Sequence, residues 1–242
     1  MALLEADNLA VFYGPVQALR NVTLHINEGE MVALIGANGA GKTTTLRTLS
    51  GMLAPRTGSI TFADKRIDGQ PPFAVVEQGL AHVPEGRELF GAMSVEENLR
   101  LGFYSKRHAK DFDRRAERVM DYFPILRERA SQAAATLSGG EQQMLVVARA
   151  LMSEPKMLLV DELSLGLAPK IVAQLFDILR AVNEQGTAVV LVEQFVHMAL
   201  GNTDRAYVLQ KGAVVAEGPS RQLLQDESLI SSYLGEADLA TH

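Results

Sequence analysis

Residues 36–43 read Gly-Ala-Asn-Gly-Ala-Gly-Lys-Thr, directly after the apolar run Met31-Val32-Ala33-Leu34-Ile35. A chain with this pattern has little freedom of fold at that point: a buried strand must pass through a glycine loop into a helix that starts near Lys42. The chemistry asks for each residue type. Gly36, Gly39 and Gly41 let the backbone take positive φ and approach an anion with no Cβ in the way. The amides of the loop, those of Asn38 and Ala40 included, form a concave nest at a helix N-terminus. Lys42 adds a full charge able to reach β- and γ-phosphates. Thr43 offers a hydroxyl to Mg²⁺, and Thr44 is a further phosphate contact. A glycine-rich turn with a chance lysine does not account for eight agreeing positions between a strand and a helix. The pattern is that of a nucleoside triphosphate site.

A second apolar run, Met157-Leu158-Leu159-Val160, ends in Asp161-Glu162. Successive strand residues point to opposite faces, so the two acids are expected to do different work. Asp161 is placed to hold Mg²⁺, directly or through water, beside Thr43. Glu162 is then the candidate general base that polarises the attacking water. An apolar run ending in acids is common on its own; paired with the phosphate loop it points to the carboxyl ends of strands in one sheet.

The rest of the chain reads as α/β. Strands are expected at Leu3–Tyr13, Val22–Ile26, Ser59–Phe62, Leu80–Val83, Thr187–Val192 and Tyr207–Leu209, with a hairpin at Lys211-Gly212 into Val214-Val215-Ala216. Pro169 to Glu184 has helical spacing, with Gly186 as a stop. Ser94-Val95-Glu96-Glu97 and Ser138-Gly139-Gly140-Glu141 fit the capping box. Residues from about 86 to 153 carry almost no strand signal and are expected to form a helical insertion. With 242 residues, the chain has enough length for one large domain with such an insertion. It has no cysteine, which excludes disulfides and thiolate chemistry, and a net charge of −6, which gives no reason to expect nucleic acid as a partner. Lys106 to Lys110 is a basic stretch followed by Asp111 and Asp113, read as a solvated helix start. No run is long enough for a membrane-spanning helix, and the acidic N-terminus does not read as a signal peptide.

Leu137-Ser138-Gly139-Gly140-Glu141-Gln142-Gln143 is a second helix N-terminus with exposed amides. In the order phosphate loop, Leu-Ser-Gly-Gly, Asp-Glu, the chain resembles the ATP-binding cassette ATPases over essentially its whole length. The resemblance implies one cassette domain over 1–242. Its fold would be a RecA-like P-loop NTPase core with a mainly parallel sheet, an N-terminal antiparallel β subdomain and the helical insertion. It implies MgATP as ligand, Tyr13 stacking on adenine, and Ser138, Gly139, Gly140 and Glu141 closing over the ATP held by a second subunit, head to tail. It implies a permease in the membrane and, beyond it, an extracellular or periplasmic binding protein. The chain itself would be peripheral on the inner face of the cell membrane.

Finer motifs narrow the resemblance. His82-Val83-Pro84-Glu85-Gly86-Arg87 has Glu85 where most cassette ATPases carry a glutamine that contacts Mg²⁺. Val192-Glu193-Gln194 has Gln194 where a histidine contacting the γ-phosphate is usual, and Ala168 stands for a common aspartate. Pro-Glu-Gly-Arg, Ser-Leu-Gly-Leu-Ala-Pro and Val-Glu-Gln together look like one of two ATPase subunits of bacterial branched-chain amino acid importers, although Leu163 replaces that subgroup's proline. The second ATPase is then expected to be related but distinct, with a homodimer as the alternative. A urea, amide or lipid-linked sugar transporter, a soluble cassette protein and a poorly hydrolysing regulatory subunit are the competing readings. Gln194 cannot become cationic, so this site is expected to stabilise developing phosphate charge less than a histidine-bearing one. Glu85 either adds negative charge near Mg²⁺ or faces away, and His197 is expected to be catalytically idle. In Gly86–Met93, Leu89 is expected to anchor in the core and Phe90 to be exposed for the permease.

Overall fold

A computed structural model describes residues 1–103 and 111–226; the basic stretch at 106–110 lies outside them. Strands β1 (Ala2–Tyr13) and β2 (Val16–Asn27) form a hairpin, and β3 (Met31–Ile35) leads into α1 (Lys42–Leu49). Then come β4 (Thr57–Phe62), β5 (Lys65–Arg66), α2 (Pro72–Glu77) and β6 (Leu80–Val83). Helices α3 (Val95–Gly102), α4 (Phe112–Tyr122), α5 (Pro124–Glu128) and α6 (Gly139–Leu151) follow, with a 3₁₀ turn at Ala134–Thr136. The chain then alternates through β7 (Met157–Asp161), α7 (Pro169–Glu184), β8 (Ala188–Val192), α8 (Val196–Gly201), β9 (Arg205–Gln210), β10 (Ala213–Pro219) and α9 (Ser220–Gln225).

Six strands form one sheet in the order β10-β9-β3-β8-β7-β6. Every pairing from β9 to β6 is parallel, and β10 adds an antiparallel edge. The unbroken apolar runs are explained by burial on both faces: all five residues of β3, β7 and β8 are buried. Alternation assigns each residue a side. Ala33, Ile35, Leu158, Val160, Val189 and Leu191 pack with α3, α4, α6, α7 and α8. Val32, Leu34, Met157, Leu159, Val190 and Val192 pack with α1, α2 and the second sheet, which is antiparallel in the order β2-β1-β4-β5. The α/β fold with a mainly parallel P-loop core and an N-terminal antiparallel sheet is the one expected.

Local corrections have physical causes. The second strand was expected only over Val22–Ile26, yet β2 starts at Val16. Asn21, at φ 51°, makes a bulge, so Leu19 and Val22 both face the core although three residues apart. That extra residue hides the period of two. Helix α2 and the two-residue β5 carry too few periodic positions to read from sequence. Between β6 and β7 the described residues hold the four helices, the 3₁₀ turn and one isolated antiparallel bridge, Ser94 to Ala133. Both capping boxes form. Ser94 Oγ accepts from the Glu97 amide at 3.1 Å, and Glu97 Oε2 accepts from the Ser94 amide at 2.7 Å. Ser138 and Glu141 repeat this at 3.3 and 2.8 Å.

Candidate nucleotide site

The strand order places four functional segments side by side at one sheet edge. Residues 36–41 follow β3, Glu193 and Gln194 follow β8, Glu162 follows β7 and Glu85 follows β6. Parallel strands end together, so side chains far apart in sequence meet there.

Gly36, Gly39 and Gly41 have φ of 153°, 78° and 109°, the positive values expected of them. At Gly36 a Cβ would lie 2.2 Å from the Leu209 carbonyl oxygen, so the loop passes directly over β9. Lys42 is buried, and its ammonium donates to the carbonyls of Gly36 (2.6 Å) and Ala37 (3.3 Å), folding back over the loop. The Ala40 amide donates to Ala37 O within the loop. A cleft of about 430 Å³ is lined by Asn38, Gly39, Gly41, Lys42, Thr43 and Thr44, with Glu162, Lys211 and Val16 to Ala18 and Arg20 around it. Tyr13 lies just outside that lining. It ends β1 opposite Val16 and is 44% exposed.

Gly212, a hairpin residue by sequence, also touches the phosphate loop. Its amide donates to Ala40 O at 2.9 Å, and its carbonyl accepts from the Arg20 amide at 2.6 Å. Its φ is 81°, and a Cβ would sit 2.2 Å from Ala18 O. Only glycine fits this bracket between β2 and the phosphate loop.

Asp161 is 1% exposed, and Thr43 Oγ1 donates to its Oδ1 at 3.3 Å. Burial pushes its carboxyl up to about 6; the Thr43 hydrogen bond works against this, and the charges of Glu162 and Glu85 add to it. Buried oxygen donors crowded by further acids fit a hard divalent cation, which takes its other ligands from phosphate and water. Among the described residues no group of three or more His, Asp or Glu could hold a metal by itself.

The two acids are separated by a different device from the one expected. Strand β7 stops at Asp161, and Glu162 turns away in the left-handed region at φ 49° while its amide still donates to Val192 O at 2.9 Å. Gln194 Nε2 donates to Glu162 Oε2 at 3.1 Å, bringing these two expected residues together. Glu85 is exposed and reaches Asp161 only through its charge. Glu193 was given no role from sequence, yet it is 1% exposed and accepts from the Ser164 amide at 3.1 Å and from its hydroxyl. It ties the loop after β8 to the loop after β7. Burial pushes its carboxyl up to about 7, against the Ser164 hydrogen bonds. The signal was present as an apolar run ending in an acid, the pattern used for Asp161. His197 lies on α8, outside the cleft lining.

Ser138 is exposed at the N-terminus of α6, and none of residues 138–141 lines the phosphate-loop cleft. Glu141 also pairs with Arg129 at 2.8 Å. Burial opposes its charge, but the Ser138 amide and hydroxyl and Arg129 hold its carboxyl below the usual range. Further along, a groove of about 640 Å³ is lined by Phe73, His82, Glu88, Leu89, Phe90, Leu101 and Arg149, among others. Leu89 is partly buried against the core and Phe90 is 56% exposed, as expected of each. His82 Nε2 is buried with no hydrogen-bond partner among the described residues, and burial, with Arg47 nearby, lowers the imidazole to about 4.

The family described as ABC transporter matches residues 19–164, and the chain belongs to that family: it is an ATP-binding cassette ATPase, an ATP-hydrolysing transport subunit. Its relatives are similar from end to end. The high-affinity branched-chain amino acid transport ATP-binding protein BraG of Pseudomonas aeruginosa is 44% identical over 96% of this chain and 100% of its own length. The lipopolysaccharide export system ATP-binding protein LptB of Escherichia coli K12 is 35% identical over 98% of each. Among solved structures, the ADP conformation of the cassette MJ1267 superposes with a TM-score of 0.85 at 27% identity, over 98% of this chain and 100% of that one.

Proposed function

We propose that this chain is one of two cassettes that power import of branched-chain amino acids through a membrane permease, with MgATP as its substrate. The observation that carries the chemistry is the row Lys42, Thr43, Asp161, Glu162, Gln194, joined by the Thr43–Asp161 contact at 3.3 Å and the Gln194–Glu162 contact at 3.1 Å. The substrate reading rests on similarity to BraG along the whole chain.

Thr43 and Asp161 would hold Mg²⁺, which supplies charge neutralisation at the phosphate oxygens when bound. Lys42 exchanges the carbonyls of Gly36 and Ala37 for phosphate oxygens, and the loop amides bind the remainder. Glu162, aimed by Gln194, accepts a proton from the attacking water. Tyr13 carries the adenine. Ser138, exposed at the helix start, together with Gly139, Gly140 and Glu141 serves the ATP of a second, related subunit, so each site is completed in trans. Residues 86–153 act as a helical lobe carrying that segment and the Phe90 groove. The exposed Phe90, and a His82 Nε2 without a partner among the described residues, suit a groove that receives a short permease helix.

Similarity to LptB supports a second reading, export of a lipid-linked glycan. The complex purified from its own membranes, with its chains identified, decides between them. ATPase activity stimulated by leucine, isoleucine or valine with their binding protein supports import. Stimulation by lipopolysaccharide alone assigns the chain to export.

A further inference from the structure

We propose that Asn98 is a positioning residue that fixes the Phe90 loop in the shape a membrane partner's helix reads. The inference rests on the docking reading of the groove given above. Asn98 is 0% exposed in α3, a place where leucine would be cheaper, because a buried amide costs free energy unless it is fully paired. Here it is fully paired, and all its partners lie in one loop. Its Oδ1 accepts from the Phe90 amide at 3.1 Å. Its Nδ2 donates to Phe90 O at 3.1 Å, to Ser94 O at 2.9 Å and, more weakly, to Met93 O at 3.4 Å.

One side chain therefore engages both backbone groups of Phe90, as a neighbouring strand would, in a segment that has none. The opposite side of the loop is held as well. Ala135 N donates to Gly91 O at 3.0 Å and Ala134 N to Met93 O at 2.9 Å. Met93 N closes the turn onto Phe90 O at 3.0 Å. A loop pinned from two sides still leaves Phe90 56% exposed. Order of this kind in the free chain removes an entropic cost that binding would otherwise incur.

The test uses the assembled complex, with Phe90→Ala, Asn98→Asp, Asn98→Ser and the Phe90→Ala/Asn98→Asp double variant. Asn98→Asp keeps the size and the acceptor for the Phe90 amide but loses the amide donors. Expected are about tenfold weaker retention of permease chains, since ordering the loop is then charged to binding, and faster amide exchange at 90–93. ATP affinity of the free subunit should be unchanged. The double variant should be no worse than Phe90→Ala alone, because Asn98 acts through Phe90. Intact assembly in Phe90→Ala removes the docking reading itself. Weak assembly in Phe90→Ala with normal assembly in both Asn98 variants, or fully additive losses, overturns the positioning role. Failure of both Asn98 variants to fold would also overturn it, by making Asn98 a core residue only.

Discussion

Glu162, the proposed general base, holds a left-handed backbone conformation that a non-glycine residue adopts at a cost of about 1–2 kcal/mol. The left-handed turn ends β7 at Asp161 and leaves the Glu162 carboxylate hydrogen-bonded to Gln194. Glu162→Gln should keep ATP binding while lowering turnover by roughly a hundredfold or more in the assembled complex; near-normal steady-state hydrolysis would assign the base elsewhere. Glu162→Gly should go further in separating stability from function, raising the stability of the free subunit by about 1 kcal/mol as the strain is relieved, with turnover lost. Glu193 yields a prediction in pH. Its carboxyl titrates near 7 in the folded chain against an ordinary 4.5, so the folded state holds a proton that the unfolded state releases between those values. Its contribution to stability is therefore full below pH 4.5 and is lost as pH rises through 7, by up to about 3 kcal/mol. Glu193→Gln, which keeps an acceptor for Ser164, should flatten the melting-temperature slope of the free subunit across that window. An unchanged slope would place the titration on Asp161 alone.

Elements were legible from sequence where their signal was redundant. Strands β3, β7 and β8 are unbroken apolar runs, the first closed by glycine and the others by acids, and α7 matches the expected Pro169–Glu184 because a first-turn proline, helical spacing and a following glycine agree. Where one irregular residue sets the geometry, the pattern fails: Asn21 concealed half of β2, and Gly212 looked like any hairpin glycine. The phosphate loop and the two acids could be found as contiguous motifs. The bracket on Ala40 and the Glu193–Ser164 tie could not, since each is a contact between segments far apart in the chain that no local pattern encodes. Helix α6 owes its first turn to a full capping box, so Ser138→Ala should cost about 1 kcal/mol, a fall of about 2–4 °C in melting temperature for a chain of this size. No fall at all would mean that Glu141 holds the turn alone.

For the whole molecule, the six-stranded sheet has a different layer on each face, and the nucleotide cleft draws on both β2 and the β9–β10 turn besides its own loop. A chain cut after residue 204 retains the entire phosphate-loop motif yet loses β9, which flanks β3, and Gly212, which holds Ala40. It should fail to bind ATP in direct titration, and binding at full affinity would show that the loop stands without its bracket. The bracket also sets an order in time. The loop leaves the ribosome early, but its last support is synthesised roughly 170 residues later, a wait of about ten to thirty seconds at ordinary elongation rates. A nascent chain in that interval carries a complete motif without its bracket. On that account ATP would find its site only once the bracket has closed on Ala40.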